Sequence, residues 1–260
     1  MRLQGKTAIV TGAAQGFGEG IARRFAEEGA KVMIADIQGD AAETVAKDIG
    51  GIAAQVDVAD AASVNAMVDK ANDAWGQVDI LVNNLGIYWD TPFHELTDED
   101  WQKIFEVNVM SGVRLTRHYF PRMLEADWGR VIFISSESGI MVPKEMVHYG
   151  FTKSAQLSIA SGLAQLTKGS GVTVNSVLPG PTQTDNVIDF MSGLVDGADS
   201  KTPDQIGRDF VAEHRPSSLL GRLIKPSEIA SLVAYVASPL SAATNGAALR
   251  AEGGLVQSVI

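Results

Sequence analysis

Tyr149 and Lys153 are four positions apart, which puts them on one face of a helix about one turn apart if the segment around them is helical. A free phenol, with a pKa of ~10, is too weak a base near neutrality, but an adjacent ammonium favours the phenolate and lowers that value. The pair is therefore a candidate proton carrier. Ser136 stands thirteen residues before Tyr149, at the end of an apolar run from Val131 to Ser135, and its hydroxyl can donate to a substrate oxygen. Ser135 is its natural rival. Asn108, inside a long helical segment, reads either as a site residue or as a satisfied core amide.

A second constellation lies at the amino-terminal end. Gly12, Gly16 and Gly18 follow the first apolar run in TGAAQGFG, so the backbone can turn tightly and approach a pyrophosphate at the positive end of the next helix. The spacing is not GxGxxG, and the strand-turn-helix setting carries more weight than the glycines themselves. Asp36 follows Gly18 by 18 residues, close to the ~20-residue offset at which a carboxylate receives ribose hydroxyls. This predicts NAD. A 2′-phosphate would meet the charge of Asp36, and neither Gln15 nor Ile37 supplies a compensating cation, so NADP is disfavoured.

These residues need a frame. Short β-rich runs at Thr7–Thr11, Lys31–Ala35, Ile52–Val56, Ile80–Val82, Val131–Ser135, Val172–Val177 and Ala247–Ala251 alternate with segments of helical period. Strands without polar alternation, joined by crossover helices, predict a doubly wound parallel α/β sheet, Rossmann-like, with helices on both faces. Thr97 should cap a helix from Asp98 to Glu125 that Pro121 kinks or closes, and further helices are expected at His148–Thr167 and from Pro226 to Ala237. The punctuated stretch at about 180–216 reads as a substrate lid. All 260 residues are expected to form one catalytic domain.

Composition narrows the partners. Lys and Arg total 21 against 31 Asp and Glu, a net charge of −10 that repels nucleic acid and anionic membrane surfaces. Cysteine is absent, which removes thiolate chemistry and suits a reducing compartment, so a cytoplasmic enzyme is expected. No secretion signal or bilayer-length apolar run is read in the sequence. His94, His118 and His214 show no metal spacing, so no metal is expected.

Taken together, TGAAQGFG, NNLG from Asn83, Asn108, SSESG from Ser135, YGFTK from Tyr149 and PGPTQT from Pro179 resemble the short-chain dehydrogenase/reductase family over nearly the whole chain. The resemblance implies a tetrad of Asn108, Ser136, Tyr149 and Lys153. Tyr149 would be the acid or base, Ser136 would orient the carbonyl or alcohol, and Lys153 would also hold the nicotinamide ribose. The backbone at Asn108 would anchor a water joining Lys153 to solvent. It further implies cofactor contacts from Gln15, Phe17, Asp57, Val58, Asn83, Gly86, Pro179, Gly180, Thr182 and Thr184, besides the residues already named. Leu85, Phe17 and Glu252 depart from the family pattern. Many relatives are tetramers built on the two long helices, so a homo-oligomer, with a tetramer favoured, is expected.

Loops that the resemblance assigns to the pocket rim carry Tyr88, Trp89, Ser138, Met141, Val142, Met146, Phe190 and Met191, a lining suited to a hydrophobic secondary alcohol or ketone. The leading expectation is an NAD-dependent oxidoreductase acting on such substrates without a metal. A 3-oxoacyl thioester reductase is the second enzyme reading, although NADPH preference and a basic docking surface would be at odds with Asp36 and the acidic balance. A non-catalytic NAD(H)-sensing regulator is the rival of another class.

Overall fold

Apolar residues fill the β-rich runs, and in the computed structural model, which describes residues 1–258, these runs form a seven-stranded sheet among the described residues. The strands are β1 (Thr7–Thr11), β2 (Lys31–Asp36), β3 (Ile52–Gln55), β4 (Ile80–Asn83), β5 (Gly129–Ile134), β6 (Val172–Pro179) and β7 (Ala248–Ala251). Their spatial order is β3-β2-β1-β4-β5-β6-β7, and every neighbouring pair is parallel. This is the doubly wound sheet that the residue pattern predicts.

Helices α1 (Gly16–Glu27), α2 (Gly39–Ile49) and α9 (Pro226–Ala237) cover one face, where Ile21, Phe25, Val45, Ile229 and Val233 pack on Ala8, Val10, Val32 and Ile34. Helices α3 (Ala61–Trp75), α5 (Ser111–Glu125) and α6 (Val147–Gln165) cover the other, where Val64, Met67, Leu115, Tyr119 and Ala160 meet Ile9, Met33, Leu81 and Val131. Successive residues of one strand thus enter opposite cores, so neither face tolerates polar alternation.

The expected helix from Asp98 to Glu125 is divided. Thr97 and Asp100 form a reciprocal cap on α4 (Asp98–Phe105), a turn of π-helix follows over Glu106–Met110, and α5 then continues through Pro121. The π turn inserts an extra residue into the helical path and buries Asn108. Pro121 forfeits one backbone bond without ending the helix, because little more than one turn remains after it. The stretch at 180–216 contains α7 (Asp185–Ser192) and α8 (Pro203–His214), which share a small apolar cluster of Met191, Val195, Ile206, Phe210, Val211 and Leu223.

The first turn of α1 depends on close backbone approach. A Cβ on Gly18 would lie 2.1 Å from the Gly12 carbonyl oxygen, whereas one on Gly20 would meet Pro226 at an ordinary 3.5 Å. Gly18→Ala should cost roughly 1–3 kcal/mol of stability through overpacking. Gly20→Ala should instead add about 0.5–1 kcal/mol by removing backbone freedom from the unfolded chain. Urea denaturation of the two variants checks both the signs and the order.

Candidate active site

From β1 the chain winds outward through β2 and β3, and from β4 it winds the other way, so the carboxyl ends of β1 and β4 flank the topological switch point. A cleft of about 530 Å³ opens there. Gly12, Gln15, Gly16, Phe17, Asp36, Gly86, Tyr149, Lys153 and Thr184 all line it. Gly12 and Gly16 both have φ of +60°, the left-handed region that favours glycine. Gln15 gives α1 no side-chain cap, so the first-turn N–H groups keep their capacity for an anion.

Asp36 is buried at the end of β2. One carboxylate oxygen accepts from the Ala14 N–H at 3.0 Å and the other from the Gln38 N–H at 3.0 Å. The carboxylate therefore ties the glycine turn to the rim of the cleft.

Several residues expected to contact the cofactor do not line this cleft. Asn83 does not line the cleft: its amide donates to Thr116 Oγ1 at 3.1 Å and braces β4 against α5. The next residue, Asn84, lines it instead and donates to the carbonyls of Thr11 and Gly12 at 2.8 and 3.1 Å. Strand alternation explains the exchange, since adjacent side chains point to opposite faces. Val58 is buried in the core beside Val64 and Met67, and Asp57 accepts from the Ala59 N–H to close a turn. Gly18 lies beneath the turn and is not part of the lining. Pro179, Gly180 and Thr182 border a second, smaller cavity beside the cleft.

The tetrad residues converge between these two spaces. Tyr149 lines both cavities. Lys153 Nζ lies 5.5 Å from the Tyr149 ring centroid, donates to the Ile134 carbonyl at 2.9 Å and reaches Gln156 Oε1 at 3.4 Å. Ser135 Oγ donates to the Lys153 carbonyl at 2.8 Å, and the Ser136 hydroxyl donates to Glu137 Oε2 at 2.5 Å and accepts from the Ser138 N–H, so each serine has an acceptor within the protein. Asn108 clamps Ile87 through both ends of its amide, accepting from its N–H at 2.7 Å and donating to its carbonyl at 2.9 Å, and also donates to Thr152 Oγ1. Of its backbone, to which the resemblance assigns a water, the carbonyl accepts from Gln156 Nε2 at 2.6 Å. Gln156 thus bridges Asn108 to Lys153 by a side chain.

The expected lowering of the Tyr149 pKa does not hold in this cleft. Burial moves the phenol well above its ordinary value, the Glu137 carboxyl and Tyr88 add to the rise, and Ser136 opposes it. Burial likewise brings Lys153 down to about 8, against the pull of Glu137. Desolvation is the largest cause of both shifts, because it penalises the charged form of each group. Burial also raises Glu137, against the pull of Ser136 and Arg215.

The smaller cavity, of about 140 Å³, is lined by Ser136, Ser138, Met146, Phe190 and Met191, and also by Phe17, Tyr88, Glu137, Val187, Phe210 and Arg215. Tyr88 meets Tyr149 and Phe190 edge-on at 5.8 and 6.2 Å. Met141 and Val142 line an adjoining hollow. Trp89 lines neither space; half-buried, it sets its ring 4.7 Å from that of the fully buried His148 in a tilted contact. Residue type and spacing give Glu137, Arg215 and Gln156 no role in the sequence. Glu137 carried a signal, an acidic residue directly after the strand-end serine pair, whereas Arg215 and Gln156 carried none.

A family model described as short chain dehydrogenase matches residues 6–193. The uncharacterized oxidoreductase YvaG of Bacillus subtilis (strain 168) is 47% identical over 262 residues, covering 100% of this chain and 99% of that protein. The 3-oxoacyl-(acyl-carrier-protein) reductase FabG of Vibrio cholerae is 34% identical over 257 residues, covering 98% and 99%. Among solved structures, 3-ketoacyl-(acyl-carrier-protein) reductase from Brucella melitensis complexed with NADH aligns with a TM-score of 0.85 at 32% identity, over 97% of this chain and 99% of that one. The chain belongs to the short-chain dehydrogenase/reductase family. No helix among the described residues is long and apolar enough to cross a membrane.

The position of Glu137 predicts a pH effect. An anionic carboxylate beside Tyr149 makes phenolate costlier, so its removal favours phenolate at lower pH. In Glu137→Gln the rising limb of the pH–rate profile in the oxidative direction should move toward lower pH, and a profile unmoved or moved upward contradicts the coupling.

Proposed function

We propose that the protein is an NAD-dependent oxidoreductase that transfers a hydride between the nicotinamide and a secondary alcohol or ketone, with Tyr149 as acid or base and no metal. The observation that carries this reading is the position of Tyr149 in the wall shared by a large cleft and a small, mostly apolar cavity. One space suits a dinucleotide and the other a small carbonyl or alcohol, so their reacting centres would meet beside one phenol. When bound, the nicotinamide supplies the hydride chemistry.

The residues of the chain account for the rest. The Gly12–Gly16 turn and the first turn of α1 would hold the pyrophosphate, and Asp36 would hold the ribose hydroxyls. Gly86 and Lys153 would border the nicotinamide ribose, since a Cβ on Gly86 would come 3.2 Å from Lys153 Nζ and narrow the cleft there. Ser136 would hold the substrate oxygen while Tyr149 Oη gives or takes its proton. The raised phenol pKa suits Tyr149 to donate to a carbonyl; oxidation requires the charges of Lys153 and of oxidised nicotinamide to favour phenolate. Helices α7 and α8 would act as a lid, as their residues Val187, Phe190, Met191 and Phe210 line the small cavity. Association of copies through α4 and α6 is supported by Phe105 and Phe151, both exposed and stacked at 6.4 Å.

The full-length likeness to FabG supports a 3-oxoacyl thioester reductase as the second reading. Asp36 at the ribose end and the net charge of −10 weigh against NADPH and against an acidic carrier protein.

Tyr149→Phe should retain NADH binding, measured by fluorescence, while kcat falls roughly 10²- to 10⁴-fold, the span expected for loss of a general acid or base. Unchanged steady-state turnover rejects the assignment. Asp36→Ala should narrow the kcat/KM preference for NAD over NADP. A ratio equal to that of the parent protein removes the selectivity argument.

A further inference from the structure

The small cavity contains a pair of opposite charges that the transfer of a hydride does not require. Glu137 is 6% exposed and projects into the same lining as Ser136 and Tyr149. Arg215, at the carboxyl end of α8, lines that cavity too, yet its Nε is buried without a hydrogen-bond partner. Its Nη1 donates to the His214 carbonyl, and no ion pair joins it to Glu137 among the described residues. The remaining wall is largely apolar, with Phe17, Met146, Val187, Phe190, Met191 and Phe210. Buried polar groups in such a setting are costly unless a partner completes them.

The charge signs restrict that partner. While Glu137 is ionised, a substrate carboxylate would be drawn to Arg215 and opposed by Glu137, and an ammonium would meet the reverse. A hydroxyl satisfies both, since it donates to a carboxylate, accepts from a protonated carboxyl and accepts from a guanidinium. Distance restricts where the hydroxyl sits. Glu137 Oε2 lies 2.5 Å from Ser136 Oγ. Oxygens on adjacent carbons can approach about hydrogen-bonding separation, ~2.7–2.8 Å, so a substrate oxygen at Ser136 leaves its vicinal neighbour within reach of Glu137.

We propose that the substrate carries a second hydroxyl on the carbon next to the reacting one, a vicinal diol in oxidation or an α-hydroxy ketone in reduction, and that Glu137 and Arg215 select it. The inference rests on the reading of Ser136 and Tyr149 as the groups that hold the reacting oxygen. Glu137 and Arg215 act here in specificity, adding no covalent step.

The test compares butane-2,3-diol, butan-2-ol and 2-hydroxybutanoate as substrates with NAD, alongside calorimetric titration of each into the protein with NADH present. The diol should exceed butan-2-ol in kcat/KM by about tenfold or more, with KM carrying most of the difference, because a site built for a hydroxyl penalises its absence. Glu137→Leu and Arg215→Met should each bring that ratio toward one. Glu137→Gln, whose amide still donates and accepts, should keep more of the ratio than Glu137→Leu and covers the case in which the leucine variant fails to fold. A ratio near one in the parent protein, a preference for 2-hydroxybutanoate, or a diol preference that survives both Glu137→Leu and Arg215→Met overturns the proposal. Diol-selective binding that depends on Glu137, in the absence of turnover on any of the three, supports the hydroxyl site at Glu137 and Arg215 and removes the reading of Tyr149 as acid or base on these substrates. Absence of both turnover and selective binding overturns the two together.

Discussion

Desolvation of a phenol, an ammonium and a carboxyl within one crevice is the constraint around which the rest of the structure is arranged. Burial moves Tyr149 and Glu137 upward and brings Lys153 down to about 8, so each group is driven toward its neutral form. A charge in such a place must be held by fixed dipoles, because water is not free to reorganise around it. Lys153 Nζ meets the Ile134 carbonyl and Gln156, while Glu137 receives the Ser136 hydroxyl. These fixed contacts bear on the protonation of each group in the crevice.

Holding such contacts requires elements that do not yield. The parallel sheet brings the ends of β1, β4 and β5 side by side, with both faces buried beneath helices. The π turn at Glu106–Met110 then presents Asn108 to Ile87 and Thr152, linking the loop after β4 to α6, the helix that carries Tyr149 and Lys153. Gln156, one turn further along α6, returns to the Asn108 carbonyl. The network closes on itself, so displacement of any one amide would leave another buried group unpaired.

Much of this frame was legible in the residues. The strand runs lack polar alternation because both faces are covered, and the glycine turn announces itself by residues that can adopt positive φ. Helical spacing was enough to bring Tyr149 and Lys153 to one face. The choice between Asn83 and Asn84 was not legible, since it depends on where β4 ends and which way its last side chains point. Trp89 illustrates a related limit: aromatic character suits a pocket rim and a contact with another ring equally, and only the position of His148 decided between them.

From its own order of residues, the chain determined the α/β class, the glycine turn after β1 and the placing of Tyr149 and Lys153 on one helical face, because these follow from local geometry. Tertiary structure decided the electrostatics. A phenol expected to be acidified by its lysine is instead dominated by burial, and Arg215 comes to share a cavity with Glu137 from a helix far along the chain. Dielectric environment and long-range proximity are properties of packing, and spacing in a sequence carries neither.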